Sequence, residues 1–240
     1  MGTDCIRTAA VAALAAASFH AYAASVTLTG WEFGNSNNVL STMYAGPAGA
    51  FKGVLSGAGT ADTSSFVTYC IELGEFFYFS PLPMLNYTVV DGATYFQERR
   101  GNADIAERLG RLLTFVAQDP TRVDTAAEST SMQLAVWNMV YDNDWTVSAS
   151  SSYRDFSPFR AYADTLLAGA QSVVASGFDV FALERAGTQD FVLATQRTSS
   201  GGPLASGVPE PTSLALVALA LAGACAARKR DVSRARSAAA

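Results

Sequence analysis

The sequence predicts one mixed α+β domain, with β-strands at both ends and about three central helices. Three observations indicate this arrangement. Residues alternate between apolar and polar at the start of the central region, 25–197, and further strand-like runs occur at its end. Between them, apolar residues recur at helical spacing. Finally, half of the residues are hydrophobic and only 15% are charged, which favours a packed core over a disordered chain.

The strands are predicted from alternation and from β-branched or aromatic content. Ser25 to Phe33 alternates, and Ser65 to Leu73 contains a continuous β-rich run. Tyr87 to Val90 is predicted as a further strand, closed by a turn at Asp91-Gly92. Two closing strands are predicted at 178–183 and 191–195. The Gly, Ser and Asn content of 35–61 indicates hairpin-like turns.

Three helices are predicted in the middle of the chain. Asn102 to Gln118 carries one apolar stripe, and Asn102 is a plausible N-cap. Glu128 to Tyr141 forms the second helix. Phe156 to Ser176 forms the third, opened by Ser157-Pro158.

The first segment, 1–24, has the pattern of a signal peptide. Arg7 supplies positive charge, Thr8 to Phe19 is apolar, and Ala21-Tyr22-Ala23 is a small-x-small cleavage site for signal peptidase. The apolar run is short for a membrane span, which favours cleavage over a permanent anchor.

The tail divides into a linker, a sorting signal and a cytoplasmic end. Residues 198–207 are a polar flexible linker, 208–230 form the signal, and 231–240 follow it. Prolines on both sides of Glu210 hold it extended, outside the apolar helix that follows. Basic residues after that helix indicate a cytoplasmic stop. The residues of the motif and the stop are Pro209, Glu210, Pro211, Arg228, Lys229 and Arg230.

This order of motif, apolar helix and basic cluster resembles the PEP-CTERM sorting signal of Gram-negative bacteria. The resemblance covers about the last thirty residues. It implies processing by an exosortase, transient attachment to the inner membrane through the C-terminal helix, and delivery to the cell surface or the exopolysaccharide matrix. A plain C-terminal anchor is the alternative.

Composition removes several functional classes from the central domain. The only histidine, His20, lies in the leader, so histidine-based catalysis and histidine metal sites are not available. The net charge is −5 and Lys52 is the one lysine of the domain, which excludes an electrostatic footprint for nucleic acid. We therefore expect no enzyme activity, cofactor or metal.

Carboxylate pairs are the remaining candidates for a third, weaker function. Glu72 with Glu75, or Asp142 with Asp144, would suit glycoside hydrolysis or calcium binding. The segment 141–145 lacks the glycine and closing glutamate of an EF-hand, which favours an ordinary solvated loop.

Cys70 is the one cysteine outside the two end segments, and an unpaired thiol is a liability in an oxidising compartment. Its segment, Tyr69-Cys70-Ile71-Glu72, together with Gln133-Leu134-Ala135-Val136-Trp137, resembles the Cys–Gln thioester domains of bacterial surface adhesins. The resemblance implies that Cys70 joins the Gln133 side chain and that a surface amine or hydroxyl opens the bond. Tyr69 and Trp137 would shield it from water. Met132 stands where that family has threonine.

Two interpretations of the domain stay open. In the first, it is an adhesion module for a surface or polysaccharide ligand, with Gln133 in the first turn of its helix, where the N-terminus favours the thiolate. In the second, it is a non-reactive matrix or binding protein, with Cys70 as a core thiol and Gln133 as a structural polar residue.

Overall fold

The computed structural model describes residues 22–57, 63–79, 85–142, 144–148 and 152–197, which belong to one compact unit. It contains eight strands and four α-helices within these ranges. The strands are β1 Tyr22–Trp31, β2 Asn37–Leu40, β3 Ala45–Ala48, β4 Phe51–Ser56, β5 Thr63–Thr68, β6 Leu85–Asp91, β7 Phe178–Glu184 and β8 Phe191–Gln196. The helices are α1 Gly92–Arg100, α2 Asp104–Ala117, α3 Ala126–Tyr141 and α4 Arg160–Ser172.

Six strands form one antiparallel sheet in the order β5-β4-β1-β6-β7-β8, and β2 pairs with β3 separately. Period-two alternation explains the central strands, because Val26 and Leu28 of β1 are buried while Thr29 is exposed. The predicted strands at both ends of the domain are therefore confirmed, and they meet in a single sheet.

The two edge strands of this sheet meet at a short seam. Beyond β5 the chain continues through 69–71 and pairs with 190–192. Ile71 N–H donates to Asp190 O, and Val192 N–H donates to Tyr69 O, both at 3.0 Å. Cys70 lies opposite Phe191 in the middle of the seam. The sheet is thus closed on itself at one end, and Cys70 occupies the closure.

The helices pack together and cover the sheet. The apolar stripe of α2 is buried as its spacing predicts, at Ile105, Leu109 and Leu112. Helix α3 is buried over most of its length. It begins with a capping box in which Thr125 accepts from Glu128 N–H and the Glu128 carboxylate accepts from Thr125 N–H.

Four α-helices replace the three that were predicted. The missed helix, α1, begins where the sequence indicated a turn, because Asp91 accepts from Thr94 N–H at 2.9 Å and caps a helix. Gly92 is required there for packing: a Cβ would lie 2.4 Å from Val180 O. The turn residues therefore mark a helix start against β7.

Both targeting segments lie largely or wholly outside the described residues. The leader is described only at Tyr22 to Ala24, which form the start of β1 and pair with β6. The linker, sorting signal and cytoplasmic end begin at 198, after the last described residue. Within the described ranges, no helix combines the length and hydropathy needed to cross a bilayer.

Candidate functional site

The structure brings Cys70 and Gln133 together in the buried centre of the domain. Cys70 N–H donates to Gln133 Oε1 at 2.9 Å, and Gln133 Nε2 donates to Cys70 O at 2.8 Å. Both side chains are shielded from solvent, with Gln133 at 0% exposure and Cys70 at 4%. The carboxamide is therefore fixed by two hydrogen bonds against the backbone of the residue that carries the thiol.

The position of Cys70 in the seam explains this contact. Its neighbours Tyr69 and Ile71 direct backbone groups to β8, so the N–H and C=O of Cys70 itself point to the other side. The Gln133 carboxamide occupies that side and offers one acceptor and one donor, as a strand residue would. Gln133 thereby satisfies two buried backbone groups.

Two further hydrogen bonds fasten α3 to Ala50, which precedes β4, and to Leu73, which follows Cys70 in the loop. Ala50 N–H donates to Ser129 Oγ at 2.6 Å, and Leu73 N–H donates to Tyr141 Oη at 2.8 Å. Ser129, Gln133 and Tyr141 are separated by four and eight residues, so they share one helix face. The sequence analysis selected Gln133 and Trp137 from this face but not Ser129 or Tyr141, although all four are spaced four residues apart.

Gln133 lies in the interior of α3 and not in its first turn, because the helix begins at Ala126. The favourable electrostatic effect of a helix N-terminus falls off within the first turn. The expectation that the helix start would stabilise a Cys70 thiolate is therefore wrong. The carboxamide oxygen of Gln133 instead accepts a hydrogen bond from the Cys70 N–H.

The two aromatic residues predicted to shield the bond lie on different sides of the seam. Trp137 is 2% exposed, lines the same cleft as Cys70 and Gln133, and packs on Tyr44 with ring centroids 5.0 Å apart. Tyr69 is also buried, but it lines a separate groove, because successive residues of an extended chain face opposite sides. The structure thus places Trp137, but not Tyr69, beside the candidate pair.

The cleft above the pair has a volume of about 370 Å³. Its other walls come from the loop that follows Cys70 and from the β2–β3 hairpin region. The lining includes Tyr44, Pro47, Phe76, Phe77 and Gln189. Burial, with a smaller contribution from Cys70, raises the pKa of Tyr44 to about 12, so its hydroxyl stays protonated and donates to Pro47 O.

Burial also raises the pKa of the Cys70 thiol well above its ordinary value. The folded domain therefore holds its thiol, Cys70, in the protonated form. Nucleophilic attack requires the thiolate, so this environment makes the thiol slow to react with external reagents.

A pH dependence of stability follows from the raised thiol pKa. The folded pKa exceeds the unfolded value of about 8.5, so the stabilising contribution is complete below that pH and is lost as pH rises above it. Between pH 7.5 and 9.5 we expect a free thiol to lower the free energy of unfolding by about 1 kcal/mol. Urea unfolding of the natural protein and Cys70→Ala at both pH values measures the difference. Equal losses in the two proteins would contradict a buried free thiol.

Three of the four carboxylates in the two candidate pairs accept hydrogen bonds from backbone N–H groups. Asp142 accepts from Tyr153 N–H at 2.8 Å, and Asp144 Oδ1 accepts from Thr146 N–H at 3.1 Å. Glu75 Oε1 accepts from Gly187 N–H at 3.2 Å. These contacts shape loops, and no group of acidic, cysteine or histidine side chains suited to a metal occurs among the described residues.

Asp190, which sequence reasoning did not select, is the most buried acid near the loop that follows Cys70. Tyr95 Oη donates to its Oδ2 at 2.7 Å, and Arg185 N–H donates to its Oδ1 at 2.8 Å. Both oxygens of Asp190 therefore accept hydrogen bonds that hold the turn before β8. Burial, followed by the charges of Asp190 and Glu75, raises the pKa of Glu72.

The described domain and the chain that follows it define a class of protein: a folded domain followed by a C-terminal sorting signal. Residues 207–230 match the PEP-CTERM protein-sorting motif. This motif is that of exported proteins that an exosortase sorts from the membrane. The Pro-Glu-Pro motif, the apolar run and the basic residues named in the sequence fall within the matched residues, 207–230. No curated protein matches the chain.

Proposed function

We propose that this exosortase-sorted protein is displayed on the surface or in the matrix of a Gram-negative cell. There, an internal Cys70–Gln133 thioester would attach it covalently to a target. The observation that supports the proposal is the pair of hydrogen bonds between the Gln133 carboxamide and the Cys70 backbone. They hold the electrophilic carbon next to the residue that carries the nucleophile. Adhesion, with one bond formed per molecule, takes the place of enzymatic turnover.

The chemistry balances with the groups that are present. Cys70 Sγ attacks Gln133 Cδ, the C–N bond breaks, and Nε2 leaves as ammonia with the thiol proton. The Cys70 N–H already donates to Oε1, the oxygen on which negative charge develops during the attack. A surface amine or hydroxyl then attacks Cδ, forms an amide or ester, and returns the proton to Sγ.

Burial of the Cys70 thiol limits the rate at which the thioester forms. Because burial disfavours the thiolate, formation of the bond is expected to be slow at neutral pH and faster at alkaline pH. Trp137 and the buried setting of Gln133 limit hydrolysis by keeping water from the carbon.

Intact mass of the processed protein tests the proposal. The proposal expects a mass lower by one ammonia and no titratable thiol after unfolding. Treatment with methylamine should then add the mass of one methylamine and release one thiol, which leaves the protein one methylene group heavier than the unreacted chain. Cys70→Ser is the matched control, because it retains the backbone contacts to Gln133 but provides no thiol, so it should show the full mass. A full mass and one thiol per unfolded chain in the natural protein would reject the thioester.

The second candidate function is a non-reactive structural or binding protein of the matrix. It is favoured by the same hydrogen bonds, because they give Gln133 a complete structural role without any covalent bond. It would also account for Ser129 and Tyr141, which make equivalent contacts from the same helix face. A full mass with a buried thiol in the natural protein is its expected result.

Sorting is tested by deleting Pro209 to Pro211. The deletion removes the extended segment that precedes the apolar helix, so we expect an uncleaved, membrane-retained form on immunoblots of cell fractions. Deletion of Leu204 to Ser206 is the matched control, since it shortens the linker equally and leaves the motif intact. Normal processing of the first variant would argue against the proposed exosortase cleavage.

A further inference from the structure

The edge strands β5 and β8 separate beyond the seam and leave a groove between them. This β5–β8 groove has a volume of about 520 Å³ and lies on the side of the seam opposite Cys70. Apolar side chains of the helical layer line it. They are Leu113, Val116, Val123 and Met132.

On the β5 side, the backbone of Val67 faces the groove. Val67 pairs with Lys52 of β4. The carbonyl of Lys52 points towards β1, because it accepts a hydrogen bond from Thr29 Oγ1 of that strand. Backbone groups of one strand residue point to the same neighbour in an antiparallel sheet. Lys52 and Val67 therefore exchange no hydrogen bonds, and the N–H and C=O of Val67 point away from β4.

On the β8 side, the backbone of Ala194 faces the groove. Val192 N–H donates across the seam to Tyr69 O, which shows that Val192 directs its backbone away from β7. Ala194 lies two residues further along and has the same orientation. Within the described ranges, no group hydrogen-bonds to these outward backbone atoms of Val67 or Ala194.

We propose that the β5–β8 groove binds an extended peptide strand of a partner protein. Two strand edges that present unpaired N–H and C=O groups are matched by an extended polypeptide. Alternate side chains of such a strand would contact the apolar lining. Glu32 is the charged residue of the groove, and the protein is acidic, with a net charge of −5, so the peptide carries a lysine or arginine near Glu32. This inference is independent of the thioester.

The outward direction of the Val67 N–H provides a specific variant. Val67→Pro removes that donor without removing a bond to β4, and proline is tolerated on edge strands when its nitrogen faces outward. Val67→Thr is the matched control, because it changes the exposed side chain and retains the N–H. Circular dichroism of each variant establishes that the domain is folded.

The probe is a displayed library of random seven-residue peptides, selected on the processed protein. The proposal expects enrichment of peptides with alternating apolar residues and a lysine or arginine. Binding should persist in Val67→Thr and weaken at least about tenfold in Val67→Pro, the loss of one or more backbone hydrogen bonds. In Glu32→Gln, the preference for a basic residue should disappear.

Three outcomes would overturn the proposal. The first is a library without enrichment, and the second is enriched peptides that bind Val67→Pro as tightly as the natural protein. The third is self-association that Val67→Pro abolishes, which would make a second copy the occupant. If Val67→Pro does not fold, Glu32→Gln provides the test. The proposal is then overturned if this variant keeps the same preference for peptides with a lysine or arginine.

Discussion

Gln133→Met is expected to destabilise the domain by about 2–6 kcal/mol. The substitution retains the volume of the side chain but leaves the N–H and C=O of Cys70 without partners, and each buried unpaired group costs about 1–3 kcal/mol. The substitution also removes the two hydrogen bonds that connect Cys70, in the seam, to α3. Urea unfolding of the processed protein measures the change.

Cys70→Ala is the control for this substitution. It removes the thiol but retains both backbone contacts to Gln133, so a smaller loss of about 1–2 kcal/mol is expected. If Gln133→Met costs no more than Cys70→Ala, the structural role of the carboxamide is contradicted. The comparison applies to protein with a free thiol and an intact carboxamide, because formation of the thioester releases Nε2 and leaves Cys70 O without its donor.

Phe51→Ala is expected to cost about 3–5 kcal/mol, the usual range for removing a fully buried phenylalanine. Phe51 is 1% exposed and lies at the centre of an aromatic cluster. Its ring centroid is 4.4 Å from that of Trp31, 4.7 Å from that of Phe77 and 5.5 Å from that of Phe191. It therefore links β4, β8 and the loop that follows Cys70.

Phe76→Ala provides the matched control in the same loop. Phe76 is 78% exposed, so its truncation should change the free energy of unfolding by less than about 0.5 kcal/mol. Both variants are measured by urea unfolding at constant pH. Similar losses would show that the aromatic cluster does not organise the core as described.

Three of the four helices and most strands followed from the sequence because their periodic patterns agree with burial. Helix α2 begins within two residues of the predicted start, and β7 and β8 agree with the predicted closing strands. Strand β4 was missed because Gly53 and the surrounding Gly and Ser residues indicated turns. Gly53 instead permits close approach of β1, since a Cβ would lie 2.4 Å from Thr27 O.

The candidate site was predictable only in part. Cys70 and Gln133 were selected together through a family resemblance, and the structure places them in contact. The seam depends on which strands become sheet edges, and local periodicity carries no information about that choice. The opposite orientation of Tyr69 and Cys70 follows from the strand geometry, but the identity of the surface that each one meets required the tertiary structure.

The seam also dictates when during folding the thiol becomes protected. Thr68 Oγ1 donates a hydrogen bond to Val192 O, which lies 124 positions away in the sequence. Because the seam joins such distant parts of the chain, we expect it to form late in folding. Until then, Cys70 is solvated and titrates like an ordinary cysteine. Newly exported chains are therefore susceptible to intermolecular disulfides in the oxidising space beyond the membrane. Variants that slow closure should accumulate as disulfide-linked dimers before they lose stability at equilibrium.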